Sequence, residues 1–180
     1  MVDFIAEFTF PDEDNLTNEV ERWTIQTDGS SAQMREGVGV IITTPEREML
    51  KYGVQLKFPT TSNEAEYEGI LTGLRLGKTL RAKNLLAQND SKLVIGQIKG
   101  EYEAKEERMQ KYLRLTKHLT REFDAVEFIQ IPRSQKMGAD EVSKLASSEK
   151  REISMDLAME VQKHPSIKEA PTFSIQSANS

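Results

Sequence analysis

Two aspartates that follow strand-like runs could bind a metal ion. Asp28 ends the stretch TIQTD and Asp90 ends the stretch LAQND. In mixed sheets with helical connections, sites gather where the carboxyl ends of strands meet, so we expect both side chains at one edge of the sheet. Their carboxylate oxygens are the ligands that Mg²⁺ and Mn²⁺ prefer. Taken singly, Asp28 before Gly29 is more typical of a turn and Asp90 before Ser91 of a helix cap, so the metal site and both alternatives stay open.

Five strands are predicted to position these residues. The first, RWTIQT, ends at Asp28, and residues 37–44 and 50–58 form the next two. Turn signals at Gly29 and Pro45 indicate that the three form an antiparallel meander. NLLAQND and residues 125–131 are the fourth and fifth strands.

A helix is predicted to begin at Ser62 or Asn63, either of which could cap it. Three glycines at four-residue intervals, Gly69, Gly73 and Gly77, form a smooth stripe along it. Because glycine costs roughly 1 kcal/mol relative to alanine inside a helix, we expect the stripe to allow close backbone packing.

Three further helices are predicted: a short one in SKLVIGQI, an amphipathic one over residues 104–121, and one after Gly138. The amphipathic helix has an apolar side and an opposite basic side. The apolar side consists of Met109, Tyr112, Leu113, Thr116 and Leu119, and the outer side of Lys111, Arg114, Lys117, His118 and Arg121.

The order of these elements predicts an α/β fold. Antiparallel hairpins followed by strand–helix alternation indicate a mixed five-stranded sheet, three strands antiparallel and then two parallel, with helices on both faces. We assign residues 1–21 to an acidic leader or linker, 22–148 to the domain and 149–180 to a C-terminal linker or tail.

Composition excludes several classes of protein. The 180 residues include no cysteine, which excludes disulfides, Cys-based zinc sites and cysteine nucleophiles. No run approaches the roughly 18 apolar residues of a membrane span, and the acidic N-terminus lacks the basic region of a signal peptide. We therefore expect an intracellular protein, cytoplasmic or nuclear, with no membrane partner.

The net charge of −5 is unevenly distributed. Residues 1–21 contain seven acidic residues and no Lys or Arg, whereas residues 22–148 contain 20 basic and 17 acidic residues. The acidity is local to the leader, so the charge does not exclude a nucleic-acid partner for the domain.

Four short motifs occur in an order and at a spacing that resemble the type 1 ribonuclease H family. They are TDGSS, TTSNEAEYEGI, NDSKLVIGQ and GADEVSKLAS. The stretches GVGVII, GEYEAKEERM and FIQIPR look most like the ribonuclease H domains of plant gypsy-type LTR retrotransposon polyproteins. The resemblance extends over residues 3–148 and implies a ribonuclease H-like fold.

The resemblance implies a site of four acids, one from each motif: Asp28, Glu66, Asp90 and Asp140. In the family such acids bind two divalent cations, Mg²⁺ with Mn²⁺ as a substitute, and the enzyme cuts the RNA strand of RNA–DNA hybrids. Helix geometry separates Glu66 from its neighbours, since Glu64 and Glu68 each lie about 160° away from it around the helix. We therefore expect Glu66 to be the inward-facing glutamate.

The resemblance also implies contacts to the hybrid. Asn63 matches the family asparagine that touches the minor groove, where 2′-hydroxyls mark the RNA strand. Gly29, Ser30 and Ser91 are expected to contact phosphate or sugar. In the loop before the last acid, Arg133 stands where many cellular members have a histidine, and we expect it to contact the nucleic acid as well.

The sequence thus predicts a ribonuclease H that hydrolyses the RNA of RNA–DNA hybrids, with a reverse transcriptase domain as a further partner in a parent polyprotein. Two alternatives stay open. One is a catalytically weak or inactive module that binds duplex nucleic acid or a protein, favoured by the absence of the extra basic helix that some cellular members use to hold hybrid. The other is a related metal nuclease acting on other duplexes.

Overall fold

Six strands form one mixed sheet in this computed structural model, which describes residues 21–32, 35–132 and 157–169. Within these residues the strands are β1 (Arg22–Ala32), β2 (Arg35–Thr43), β3 (Met49–Leu56), β4 (Asn84–Asn89), β5 (Ala125–Gln130) and β6 (Leu157–Gln162). The helices are α1 (Ser62–Thr79), α2 (Lys92–Lys99), α3 (Glu107–Thr120) and α4 (Ser166–Glu169).

The strand order is β5-β4-β1-β2-β3-β6. Strands β1, β2 and β3 are antiparallel neighbours, and β4 and β5 run parallel to β1 on the other side. The predicted mixed sheet is confirmed. The prediction of five strands was one short, because β6 lies in the stretch assigned to a linker or tail and pairs in parallel with β3.

Strand β1 extends beyond its predicted end. Asp28 pairs with Gly39 and Gly29 with Val38, so both residues lie inside an antiparallel ladder and the turn interpretation of this pair is wrong. Parallel pairing of β1 with β4, in contrast, ends at Gln26 and Gln88. Asp28 and Asp90 therefore both lie just beyond the same end of that ladder, as predicted from the ends of the two strands.

Helix α1 is capped by Thr61, one residue before the predicted candidates. The backbone N–H of Glu64 donates to Thr61 Oγ1 at 3.1 Å, and the Thr61 N–H donates back to Glu64 Oε1 at 3.2 Å. This reciprocal capping box satisfies two of the backbone donors that a helix N-terminus leaves without helical partners.

The glycine stripe brings α1 onto the sheet, as predicted. A Cβ added at Gly73 would lie 2.9 Å from Ile25 Cδ1, and one at Gly69 would lie 3.3 Å from the Asp28 carbonyl oxygen. Larger side chains would hold the helix farther from β1. This packing sets the height of Glu66 above the strand that contains Asp28.

Helix α3 covers the other side of α1. Tyr112 of α3 stacks on Tyr67 of α1 with ring centroids 5.5 Å apart, and both rings are fully buried. Met109, Tyr112 and Thr116 are buried, which confirms the predicted apolar side. Arg114 and Lys117 are exposed, as expected for the basic side.

Several predictions concern residues outside the described ranges: Asp140, Arg133 and the helix after Gly138. Among the residues that the structure describes, no helix has the length and apolar character needed to cross a bilayer.

Candidate metal centre

Three carboxylates converge beyond the end of the β1–β4 ladder. Asp28, Glu66 and Asp90 each present one oxygen atom, and these atoms all lie within 4.8 Å of one another. Asp28 is buried, with 4% of its surface exposed, whereas Glu66 and Asp90 are half-buried. Oxygen donors at this spacing fit a hard divalent cation such as Mg²⁺ or Mn²⁺. The structure therefore brings together three of the four acids that the motifs select.

Glu66 is held in place by two hydrogen bonds to a single carboxylate oxygen. The backbone N–H of Gly29 donates to Glu66 Oε1 at 3.1 Å, and Asn89 Nδ2 donates to the same atom at 2.9 Å. The first bond joins α1 to β1 and the second joins α1 to β4. These contacts orient the Glu66 carboxylate towards the two strands from which Asp28 and Asp90 extend.

The environment of Glu66 raises its pKa to about 7. Burial is the largest cause, and the neighbouring carboxylates Asp28 and Asp90 raise the pKa further, while the hydrogen bonds from Asn89 and Gly29 oppose the rise. Gathering three carboxylates in a partly buried place costs free energy in the metal-free protein. A bound cation would remove that cost, which is the electrostatic signature expected of a metal centre.

Asn89 is a structural part of the centre that sequence reasoning did not select. Its side chain is 1% exposed, and its Nδ2 donates to both the carbonyl oxygen and Oγ1 of Thr27 at 3.0 Å as well as to Glu66. Its Oδ1 accepts from the Ser91 N–H at 2.7 Å. A signal was available: Asn89 occupies the buried phase of β4 after Leu85 and Ala87, where a polar residue needs partners.

We expect Asn89→Ala to weaken metal binding by roughly tenfold to a hundredfold, because residues that orient metal ligands have effects of this size. The measurement is calorimetric titration with Mn²⁺. The matched control is Gln88→Ala, which removes the neighbouring amide of β4, bonded instead to Gln26 at 3.1 Å. Equal Mn²⁺ affinities for the two variants would contradict an orienting role for Asn89.

The three glutamates of α1 are all shielded from solvent to some degree, which corrects the expectation that Glu66 alone faces inward. Glu66 contacts the sheet as predicted, but Glu64 is 6% exposed and Glu68 is fully buried. The angular separation was right; the opposite side of α1 is covered by α3, whose Arg108 Nε donates to Glu64 Oε2 at 2.7 Å. The helical angles give the direction of each side chain around α1, but they do not show that α3 packs against the side opposite the sheet.

Four of the residues predicted to contact nucleic acid lie within the described ranges, in β1, in the first turn of α1 and at the cap of α2. The Gly29 N–H is engaged by Glu66, and Ser30 pairs with Gly37 within the β1–β2 ladder. Ser91 caps α2, its Oγ accepting from the Val94 N–H at 3.1 Å, and Asn63 lies half-buried in the first turn of α1. Their contacts with a duplex stay predictions, as does the role of Arg133, which lies outside the described residues.

Comparison with known proteins agrees with this architecture. A sequence model of the reverse transcriptase-like family matches residues 26–146, which include Asp28, Glu66, Asp90 and Asp140.

Solved structures of similar fold include several ribonucleases H. RNase H1 from the halophilic archaeon Halobacterium salinarum NRC-1 is 21% identical with a TM-score of 0.66, over 69% of this chain and 96% of that protein. The N-terminal ribonuclease H domain of Rv2228c from Mycobacterium tuberculosis is 26% identical with a TM-score of 0.62, over 70% and 93%. LC11-RNase H1 in complex with an RNA/DNA hybrid is 28% identical with a TM-score of 0.62, over 69% and 96%.

Proposed function

The chain belongs to the reverse transcriptase-like family, whose domain is ribonuclease H-like, and on that premise we propose that it is a metal-dependent ribonuclease H that hydrolyses the RNA strand of RNA–DNA hybrids. The observation that supports this most directly is the convergence of Asp28, Glu66 and Asp90, whose oxygens lie within 4.8 Å of one another. A similar structure, LC11-RNase H1, was solved with such a hybrid bound.

In this proposal Asp28, Glu66, Asp90 and Asp140 hold two Mg²⁺ ions, for which Mn²⁺ can be substituted. When bound, such a pair of ions activates a water molecule and stabilises the leaving 3′-oxygen. The protein supplies the arrangement of carboxylates. Gly29 and Asn89 keep the Glu66 carboxylate oriented towards the other two, so little reorganisation is needed when substrate binds. The products have 5′-phosphate and 3′-hydroxyl ends.

For recognition of the hybrid, Asn63 is proposed to lie near the 2′-hydroxyls of the RNA strand. The phosphate–sugar backbone of the nucleic acid is proposed to contact Gly29, Ser30, Ser91 and Arg133. The basic side of α3 offers a second contact, since Arg114 and Lys117 are exposed there. We also propose that the domain originates from a plant gypsy-type retrotransposon polyprotein, in which a reverse transcriptase adjoins it. The same proposal includes an intracellular location.

A second candidate is a module that binds duplex without cutting it. The observation that favours it is the short connection between α2 and α3: α2 ends at Lys99 and α3 begins at Glu107, with no helix between them. The affinity for the duplex would then depend on fewer basic residues or on an attached domain. The cleavage assay described next distinguishes the two candidate functions.

The test is cleavage of a labelled RNA–DNA hybrid with Mg²⁺ or Mn²⁺, beside duplex RNA and duplex DNA of the same sequence. We expect cutting of the RNA strand of the hybrid alone, and loss of cutting in Asp90→Asn. Hybrid binding without cleavage in either metal would overturn the nuclease for this chain and support the binding module. Cleavage of the other duplexes would show a metal nuclease of different specificity.

A further inference from the structure

A segment beyond the family match completes the edge of the sheet. Residues 157–169, here called the C-terminal segment, comprise β6 and α4 and lie outside the matched residues 26–146. Strand β6 pairs in parallel with β3 from Lys51 and Leu157 to Leu56 and Gln162. The ladder continues with the Lys57 N–H, which donates to the Gln162 carbonyl oxygen at 2.8 Å.

The C-terminal segment also surrounds a buried carboxylate. Glu68 of α1 is fully buried and accepts four hydrogen bonds from residues within the described ranges. Three come from the segment: Gln162 Nε2 to Oε1 at 3.1 Å, Ser166 Oγ to Oε1 at 2.6 Å, and the Ser166 N–H to Oε2 at 2.8 Å. The fourth comes from the Tyr112 hydroxyl to Oε2 at 2.6 Å. A buried carboxylate persists only when its oxygens are satisfied in this way, so Glu68 depends on the segment.

The same contacts connect three elements. Glu68 belongs to α1, Tyr112 to α3 and Ser166 to the C-terminal segment, and Arg75 Nη1 of α1 donates to Ser166 Oγ at 3.0 Å. Ile167 is 5% exposed and packs in the core cluster that includes Tyr67 and Tyr112. Burial and the nearby Glu68 raise the pKa of Tyr112, so its hydroxyl remains protonated and continues to donate.

We propose that the C-terminal segment acts as an intramolecular clasp, meaning that it binds two parts of its own chain. Strand β6 pairs with the edge of β3, and Gln162 and Ser166 bind the Glu68 carboxylate. The clasp fixes α1 against α3. Through α1 it also positions Glu66, which is two residues from Glu68 on the opposite side of the helix; this last step rests on the proposed function. Glu68 and Ser166 are thus positioning residues, and the folded unit continues to Glu169 instead of ending at residue 148.

The absence of cysteine from the chain allows a direct test by cross-linking. Tyr52 and Ala158 are register partners in the β3–β6 ladder, close enough for a disulfide between cysteines at these positions. In the full-length variant Tyr52→Cys/Ala158→Cys, we expect mild oxidation to yield a monomer with an internal disulfide. The matched control is Lys78→Cys/Ala158→Cys, which combines positions that are not partners. Disulfide-linked dimers, or no more linkage than in the control, would overturn the intramolecular clasp.

The role of Glu68 is tested by removing one of its donors. In Ser166→Ala we expect the β6 amides to exchange hydrogen at least about tenfold faster and the melting temperature to fall by roughly 5 °C. Lys163→Ala is the control, because that side chain lies on the same segment and is exposed. Ser166→Thr retains the hydroxyl and the N–H and should recover most of the protection. Equal hydrogen exchange rates in Ser166→Ala and Lys163→Ala would overturn the claim that the Glu68 carboxylate holds the C-terminal segment in place.

The positioning of Glu66 has a separate readout in the affinity for Mn²⁺, measured by calorimetry on the same full-length proteins. We expect a several-fold loss in Ser166→Ala, recovery in Ser166→Thr and no change in Lys163→Ala. Unchanged affinity together with faster exchange would overturn the positioning role. If the wild-type chain binds no Mn²⁺, the proposed metal centre itself fails, while cross-linking and exchange still decide whether the clasp exists.

Discussion

Glu66→Gln is expected to abolish metal-dependent cleavage and, at the same time, to stabilise the metal-free protein. Cleavage should fall roughly a thousandfold or more, since a cation bound at such a centre contributes several kcal/mol of transition-state stabilisation. The fold should persist because glutamine has the same shape. Its Oε1 can still accept the hydrogen bonds from Gly29 and Asn89, both of which go to that one atom in Glu66.

The gain in stability follows from the raised pKa of Glu66. Ionising a carboxyl whose pKa is about 7 in the folded protein, against an ordinary value of 4.5, disfavours folding. The penalty is absent below about pH 4.5, grows as the pH rises, and is complete above about pH 7. At pH 8 the amide should therefore increase the free energy of unfolding by on the order of 2 kcal/mol. At pH 4.5 the advantage should disappear.

Thermal unfolding in EDTA at pH 8 and pH 4.5 measures this effect, and a hybrid-cleavage assay measures the loss of activity. Glu107→Gln is the control, because Glu107 is exposed in the first turn of α3 and forms a surface ion pair with Lys111. Mg²⁺ should reverse the order at pH 8 by stabilising the wild type more than the variant. A variant less stable than wild type in EDTA at pH 8 would contradict a free-energy penalty for ionising Glu66, which arises first from burial and then from the nearby Asp28 and Asp90.

The parts of the centre that the sequence predicts are those set by local geometry. Asp28 and Asp90 follow short strand-like runs, and the topology of a mixed sheet brings the ends of such strands together. The direction of Glu66 follows from the helical period. The predicted end of β1 was wrong because Asp28-Gly29 has the composition of a turn, whereas β2 pairs with both residues and keeps them in the strand.

The parts that the sequence does not predict depend on contacts between distant residues. Glu68 is bonded to Gln162 and Ser166, which are 94 and 98 residues away along the chain. Nothing within a helical period around Glu68 indicates that its carboxylate is buried. Strand β6 is equally hard to predict. Among the described strands it pairs only with β3, and it exposes Ala158, Glu160 and Val161, so its pattern is not that of a buried strand.

Gly29→Ala is expected to damage both folding and the metal centre, although it adds only one methyl group. A Cβ at this position would lie 2.4 Å from the carbonyl carbon and oxygen of Ala65 and 2.6 Å from the backbone nitrogen of Glu66. These are backbone atoms of α1, which cannot rotate away as side chains do. The first turns of the helix must therefore move off β1.

The control is Gly77→Ala, at the C-terminal end of the glycine stripe of α1. There the added methyl would meet Leu85 Cδ1 at 3.3 Å, Leu85 Cδ2 at 3.4 Å and Phe123 Cε1 at 3.6 Å, which are ends of side chains that can adjust. Alanine also favours the helix by about 1 kcal/mol relative to glycine, so we expect a small net effect.

For Gly29→Ala we expect a loss of about 3 kcal/mol in the free energy of unfolding, and a melting temperature lower by roughly 10 °C. Moving α1 by about 1 Å would also weaken the 3.1 Å bond from the Gly29 N–H to Glu66, and misplacement on this scale can reduce activity by about a hundredfold. Thermal unfolding and hybrid cleavage at saturating Mg²⁺ measure the two effects. Equal stability and activity of the two alanine variants would show that α1 can shift freely, and the close contact between α1 and β1 would then not be what positions Glu66.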